Sequence, residues 1–357
     1  MEDKISSVYI HVPFCKKICS YCDFCKVFYN EGLVSKYLDG LKKEIDMYFK
    51  GEVLSTLYVG GGTPSCLSKI YLEEFFSILD KFSFYDKYEF TFECNISDIN
   101  EELLLFLKEH RVNRLSIGVE SFLEKNLKVL GRESFDVYDK ILLCKRYFSN
   151  INVDLIYGIN GQSLTDLKYD LDKFSLLDIN HISIYSLILE DNTMLKVNGY
   201  EEIDSDLDRD MYEYICNYLE SKGFIHYETS NFAKDGFSSS HNLAYWNNNK
   251  YYGFGPGASG YIGNIRYSNT RSILKYSLGE FRTFCEEVDH KTDMENFMIL
   301  GLRKISGVSN DDFYKRYGLN ISDVFDTSKL GFNEGFYFIK KEDLYISNYI
   351  LSDFVDV

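Results

Sequence analysis

The chain has 357 residues, with 55 acidic side chains against 39 Lys and Arg, and a net charge of −16. Its 45% hydrophobic and 26% charged residues are the balance of a soluble globular protein, not of a disordered or fibrous one. The acidic balance argues against non-specific nucleic-acid binding, which needs a basic face. No apolar run approaches the ~20 residues of a membrane-spanning helix.

In chain order, β-rich segments are predicted at residues 7–12, 56–59, 88–93, 114–119, 152–157 and 181–189. Segments of helical period lie between them, at 32–50, 70–82, 101–110, 122–130 with 137–148, and 164–177. Asp98 with Glu101, and Ser163 with Asp166, have the spacing of reciprocal helix caps. A long acidic helix is predicted at 204–222, followed by a Gly-, Asn- and aromatic-rich stretch at 223–269. The tail reads as helices at 294–304 and 310–317, then FYFIKKEDLYI as a hairpin.

Six successive βα units predict a parallel sheet with right-handed crossovers. Unusual residues follow strand after strand, as in sites built from the C-terminal ends of barrel strands. The expected fold is therefore α/β, a partial TIM-like (β/α)6 barrel with a C-terminal α+β extension. The expected division is 1–223 as barrel, 224–288 as an aromatic and Gly-rich segment, and 289–357 as a small winged-helix-like module.

Rare residues mark the sites. About 5% proline is usual, roughly 18 in a chain of this size, yet only Pro13, Pro64 and Pro256 occur. Four of the nine cysteines fall within residues 15–25. The N-terminus has no basic start followed by a long apolar run, so a cytoplasmic location is expected. In a reducing compartment the cysteines read as metal ligands or core residues, not disulfides. Cys15, Cys19 and Cys22 form C-x-x-x-C-x-x-C directly after the first strand. Three thiolates on one loop can hold three irons of a four-iron cube and leave the fourth iron open. Cys25 is a competitor for that position. A zinc site made by all four cysteines and incidental thiols are the alternatives.

Gly60, Gly61 and Gly62, then Thr63 and Pro64, follow the second strand. Glycines there let backbone amides approach a ligand, or simply make a tight turn. Glu93 ends a strand inside an apolar run, where its carboxylate can accept from a ribose or an ammonium. Arg132 can bind a carboxylate in a bidentate manner. Asp154 lies within a strand, where an unpaired buried charge is costly.

The run YIHVPFCKKICSYCDF resembles the opening of radical S-adenosylmethionine proteins, and within them the coproporphyrinogen oxidase and heme chaperone branch. The resemblance continues in order through YVGGGTPS, RLSIGVESF, LGR, VDLIYG, HISIYSL, HYETSNFAK and HNLAYW, covering nearly the whole chain. It implies a [4Fe-4S] cluster on Cys15, Cys19 and Cys22, and S-adenosylmethionine held by Tyr9, Gly61, Gly62, Thr63, Glu93, Glu120, Arg132 and Asp154. Glu120 replaces the glutamine usual in the family, an acceptor-only group for one that also donates.

Residues 241–246, HNLAYW, resemble a signature of the heme chaperones of this branch. That likeness implies heme as ligand, with His241 as an axial ligand and Tyr245 and Trp246 against the porphyrin. Hemoprotein acceptors are the implied partners. His226 is a distant second-ligand candidate, and Arg266 and Arg271 are candidates for the heme propionates. The alternative implied function is oxygen-independent coproporphyrinogen III oxidase, the oxidative decarboxylation of coproporphyrinogen III to protoporphyrinogen IX. Against it, Cys25 stands one residue later than the oxidases' C-x-C, and only eight residues precede Tyr9 where the oxidases carry a longer arm. Cys66, Cys94, Cys144, Cys216 and Cys285 show no ligand spacing and read as core residues. No nucleic acid and at most peripheral membrane contact are expected; a homodimer is compatible with the sequence.

Overall fold

The computed structural model describes residues 4–355. Six parallel strands form its centre: β1 (Ser7–Val12), β2 (Val53–Gly61), β3 (Ser83–Asn95), β4 (Arg114–Glu120), β5 (Asn150–Tyr157) and β6 (His181–Ser186). Each pairs with the next in sequence, which fixes every strand C-terminus on one rim. The crossover helices are α1 (Glu31–Tyr48), α2 (Lys69–Leu79), α3 (Glu101–Glu109), α4 (Glu124–Val129), α5 (Val137–Lys145) and α6 (Leu164–Ser175). The fold is an open α/β partial barrel with a C-terminal extension. No helix among the described residues is long and apolar enough to cross a membrane.

Local chemistry sets the boundaries. The Ser163–Asp166 capping box forms as expected, with each side chain bonded to the other's backbone N–H. Asp98 does not cap α3. Its carboxylate is taken by Lys16 at 2.8 Å and Ser65 at 2.9 Å, and Asn100 caps the helix by accepting from the Leu103 N–H. β6 ends at Ser186, short of Leu189. β3 begins at Ser83, five residues early, because its polar start pairs with β2 at Val53 and Leu54.

The segment 224–288 is not a unit apart. It completes the sheet on both sides, giving nine strands in all. β7 (Ile225–Glu228) and β8 (Asn231–Ala233) form a hairpin, and β8 pairs antiparallel to β6. β9 (Tyr252–Phe254) pairs parallel to β1 at the other edge, with Tyr9 opposite Gly253. Between these edges, α7 (Ser240–Trp246) carries HNLAYW. A separate three-stranded sheet follows, ending in the edge strand Arg282–Glu287. One apolar core runs from Ile5 to Phe281. A second, with Met298, Phe313, Ile321 and Phe354, fills the C-terminal module. There the hairpin is Gly331–Asn333 with Phe336–Phe338, and Lys341–Ile346 is a 3-10 turn, so FYFIKKEDLYI does not fold as a hairpin of its own.

Candidate functional site at the barrel mouth

The cysteine loop leaves β1 at the C-terminal rim and is pinned from three sides. Ser20 donates from its backbone to the Leu130 carbonyl (3.1 Å) and from its hydroxyl to the Val129 carbonyl (2.6 Å), using acceptors freed at the end of α4. The Leu195 N–H donates to the Ser20 carbonyl at 3.0 Å, so the loop after β6 meets the loop after β1 across the mouth. Arg271 donates to the Asp23 carbonyl at 2.6 Å.

Cys15 is buried and accepts from Thr63 Oγ1 at 3.6 Å; Cys19 and Cys22 are half-buried. Burial pushes the Cys15 thiol up to about 11, with Cys19 and Cys22 close enough to add to the rise. All three are free thiols. Among the described residues, no three potential ligands are gathered at metal-binding range. The chemistry of the donor set suits an iron–sulfur cube, which holds thiolates at separate corners. Cys25 turns elsewhere: its Sγ donates to the Arg271 carbonyl at 3.4 Å, and a Cβ on Gly257 would lie 2.4 Å from its own Cβ.

The Gly60–Gly62 turn lies beside this loop, and its glycines are required. A Cβ at Gly62 would lie 2.7 Å from the Phe14 carbonyl oxygen. Gly61 holds φ +115°, and its Cβ would strike the His11 ring. The Gly61 N–H donates to Glu93 at 2.9 Å, and the Tyr58 hydroxyl donates to the same carboxylate at 2.7 Å. Burial pushes the Glu93 carboxyl up to about 7. Tyr9 faces the same lumen and shares a 2.9 Å hydrogen bond with His11 Nδ1. Asp154 accepts from Asn152 at 2.7 Å and Ser116 at 3.3 Å, and burial raises its carboxyl too.

Glu120 and Arg132 form a buried ion pair, with side chains 6% and 16% exposed. The register between β4 and β5 breaks at Gly118–Glu120, and Glu120 takes the left-handed φ of 66°. Tyr21 of the cysteine loop donates to Glu120 at 3.1 Å and accepts from Arg132 at 3.2 Å. The mouth therefore gathers Tyr9, Gly61, Gly62, Thr63, Glu93, Glu120, Arg132 and Asp154 around the cysteine loop.

HNLAYW lies elsewhere. His241 is 1% exposed and closes the base of the barrel, at the N-terminal end of the strands. Its Nδ1 bonds Thr56 Oγ1 and its Nε2 bonds the Tyr245 hydroxyl, so neither nitrogen is open to an iron. Burial depresses its pKa to about 3. Axial ligation by His241 is thus not supported by this geometry. His226 is likewise a core residue, stacked on Phe232 with centroids 4.1 Å apart. Arg271 serves the cysteine loop, and Arg266 lies over Tyr261. Trp246 and Tyr245 line a surface cavity of about 370 Å³ with Tyr251, Tyr261, Arg266 and Phe284. Cys285 is exposed on its edge strand, against the expectation of a core residue; the other four are buried.

Tyr58 and Tyr21 were not singled out from the sequence. For Tyr58 the signal exists: Thr56, Tyr58 and Gly60 alternate along β2 and so share one face.

Residues 9–174 match the model of the Radical SAM superfamily, and residues 288–333 that of the HemN C-terminal domain. The chain is 41% identical to heme chaperone HemW of Lactococcus lactis, covering 94% of this chain and 93% of the relative. Identity to heme chaperone HemW of Bacillus subtilis is 38%, over 90% and 89% of the two chains. Among solved structures, coproporphyrinogen III oxidase (HemN) from Escherichia coli superposes with a TM-score of 0.87 at 20% identity. That likeness covers 99% of this chain and 91% of the oxidase, and speaks to fold alone. The identity along nearly the full length, joined to the superfamily match over the barrel, makes this chain a member of the HemW family of the radical SAM superfamily.

Proposed function

We propose that this protein is a heme chaperone: it binds heme and passes it to hemoprotein acceptors, within a reducing, cytoplasmic setting. The observation that carries the reading is the 41% identity to a heme chaperone over 94% of the chain. Cys15, Cys19 and Cys22 are the proposed holders of a [4Fe-4S] cluster, which supplies an open iron and one-electron chemistry when bound. Tyr9, Gly61, Gly62, Thr63, Glu93, Glu120, Arg132 and Asp154 are the proposed lining of the S-adenosylmethionine site. Glu93 and Asp154 offer acceptors to an ammonium and a ribose, and the Gly60–Gly62 turn offers a backbone surface free of side chains.

For heme, the aromatic cavity of about 370 Å³ beside α7 supports a docking face. Trp246, Tyr251 and Tyr261 supply flat apolar surface, and Arg266 is a cation for a propionate. This keeps Tyr245 and Trp246 in the heme reading and leaves His241 as their support.

The test is a paired assay on one anaerobically reconstituted sample. Heme binding at micromolar concentration, read by absorbance titration, is expected, with no protoporphyrinogen formed from coproporphyrinogen plus S-adenosylmethionine and reductant. Turnover without heme binding would reverse the reading in favour of the oxidase.

A further inference from the structure

The strongest unexplained feature of the mouth is where Arg132 spends its charge. Its guanidinium donates to Glu120, to the Tyr21 hydroxyl at 3.2 Å and to the Gly118 carbonyl at 3.4 Å. Its buried Nε has no partner. Glu120 is held onto this cation by the chain itself. The register break on β4 and the left-handed φ of 66° turn it back over Gly118. A Cβ at position 118 would lie 2.8 Å from Glu120 Oε1 and 3.0 Å from the Arg132 guanidinium. Such a backbone conformation is unfavourable for a non-glycine residue and persists only where surroundings impose it. Tyr21, set between Cys19 and Cys22, closes the arrangement from the cysteine loop at 3.1 Å.

S-adenosylmethionine carries both an ammonium and a carboxylate. Glu93 and Asp154 suit the ammonium but repel the carboxylate, for which Arg132 is the cation beside them at the mouth. That cation already holds a carboxylate of matching geometry. We propose that Glu120 is an internal carboxylate seated on Arg132, so that a ligand carboxylate binds at this mouth only by displacing it. Glu120 is then a specificity-determining residue: it penalises ligands bearing an amino-acid carboxylate and leaves nucleoside thioethers without one unaffected. Displacement also breaks the Tyr21–Glu120 bond, so the cysteine loop registers which ligand has arrived. The inference rests on the reading of the mouth as an S-adenosylmethionine site.

The test compares wild type with Glu120→Gln on anaerobically reconstituted holoprotein. Equilibrium dialysis measures two ligands, S-adenosylmethionine and 5′-methylthioadenosine, which lacks the amino-acid carboxylate. Glu120→Gln is expected to tighten S-adenosylmethionine about tenfold, the scale of one charge-assisted hydrogen bond, and to leave methylthioadenosine unchanged. Unchanged or weaker S-adenosylmethionine binding overturns the proposal, as does equal tightening of both ligands. Iron content and melting temperature check the variant's integrity, and Glu120→Ala asks the same question if Gln fails to fold. If neither ligand binds any form, the nucleotide reading itself fails and takes this proposal with it, while the heme titration stands independently.

Discussion

The His241 ring and the Thr56 hydroxyl share a 2.9 Å hydrogen bond at the closed base of the barrel. With the Tyr245 hydroxyl on the other nitrogen, the imidazole is a buried strut between α7 and β2. His241→Ala leaves two buried hydroxyls unpaired and a cavity between them. We expect a loss of roughly 2–4 kcal/mol of stability, read by denaturant unfolding. Heme affinity, measured by absorbance titration below the melting temperature, should stay within about threefold of wild type. Loss of heme binding in a folded variant would restore His241 as a ligand.

The four cysteines of the loop should separate into three and one. Cys19→Ser is expected to abolish the visible absorption and most of the iron and sulfide of reconstituted protein. Cys25→Ser should keep them, because that sulfur points to the Arg271 carbonyl and packs on Gly257. Iron and sulfide analysis of the two variants decides the matter.

Gly62→Ala places a methyl 2.7 Å from the Phe14 carbonyl and 2.9 Å from its nitrogen, both backbone atoms that cannot swing away. The cost should be at least about 2 kcal/mol. Because Phe14 adjoins Cys15, cluster loading should fall with it. A variant of unchanged stability and iron content would show that the turn yields more readily than its packing implies.

Burial pushes Glu44, Glu93 and Glu228 up to about 7 in the unloaded protein. The unfolded chain releases these protons near the ordinary glutamate value. Between about pH 4.5 and 7 the folded state therefore holds more protons, and its stability falls as pH rises. Each group contributes up to about 3 kcal/mol to that fall. Thermal melting of the cluster-free protein should drop from pH 5 to pH 7.5 and then level. Glu44→Gln, which alters none of the proposed ligand contacts, should flatten the profile. A midpoint that rises over this range would contradict the burial of these carboxyls.

The parallel strands were legible because each is a short apolar run ended by residues of special conformation. The strand ends carry the chemistry, so Gly61, Glu93 and Glu120 could be placed on one rim from sequence order alone, whereas Asp154 lies within its strand. What the sequence hid were contacts between distant segments. Asp98 has the spacing of a cap, but Lys16 and Ser65 claim its carboxylate from loops 82 and 33 residues away. Likewise HNLAYW reads as a ligand motif until Thr56 and Glu89 are seen to hold it at the base. Glu89 accepts from Ser239, Ser240 and His241, anchoring the start of α7 inside the sheet. The short strands β7, β8 and β9 escaped detection because each is only three or four residues long, and β8 and β9 join the sheet through partners remote in the chain.

The pairing of β9 with β1 sets an order on how the molecule is made. During synthesis β1 emerges first, but its outer neighbour, Tyr252–Phe254, follows some 240 residues later. Until then β1 presents an open row of N–H and C=O groups, the template that promotes mispairing between chains. A chain halted between residues 190 and 230 has all six inner strands but two raw edges, at β1 and β6, and no base. The barrel is therefore closed only once residues 252–254 have been made, when a three-residue strand seals the sheet against its own beginning.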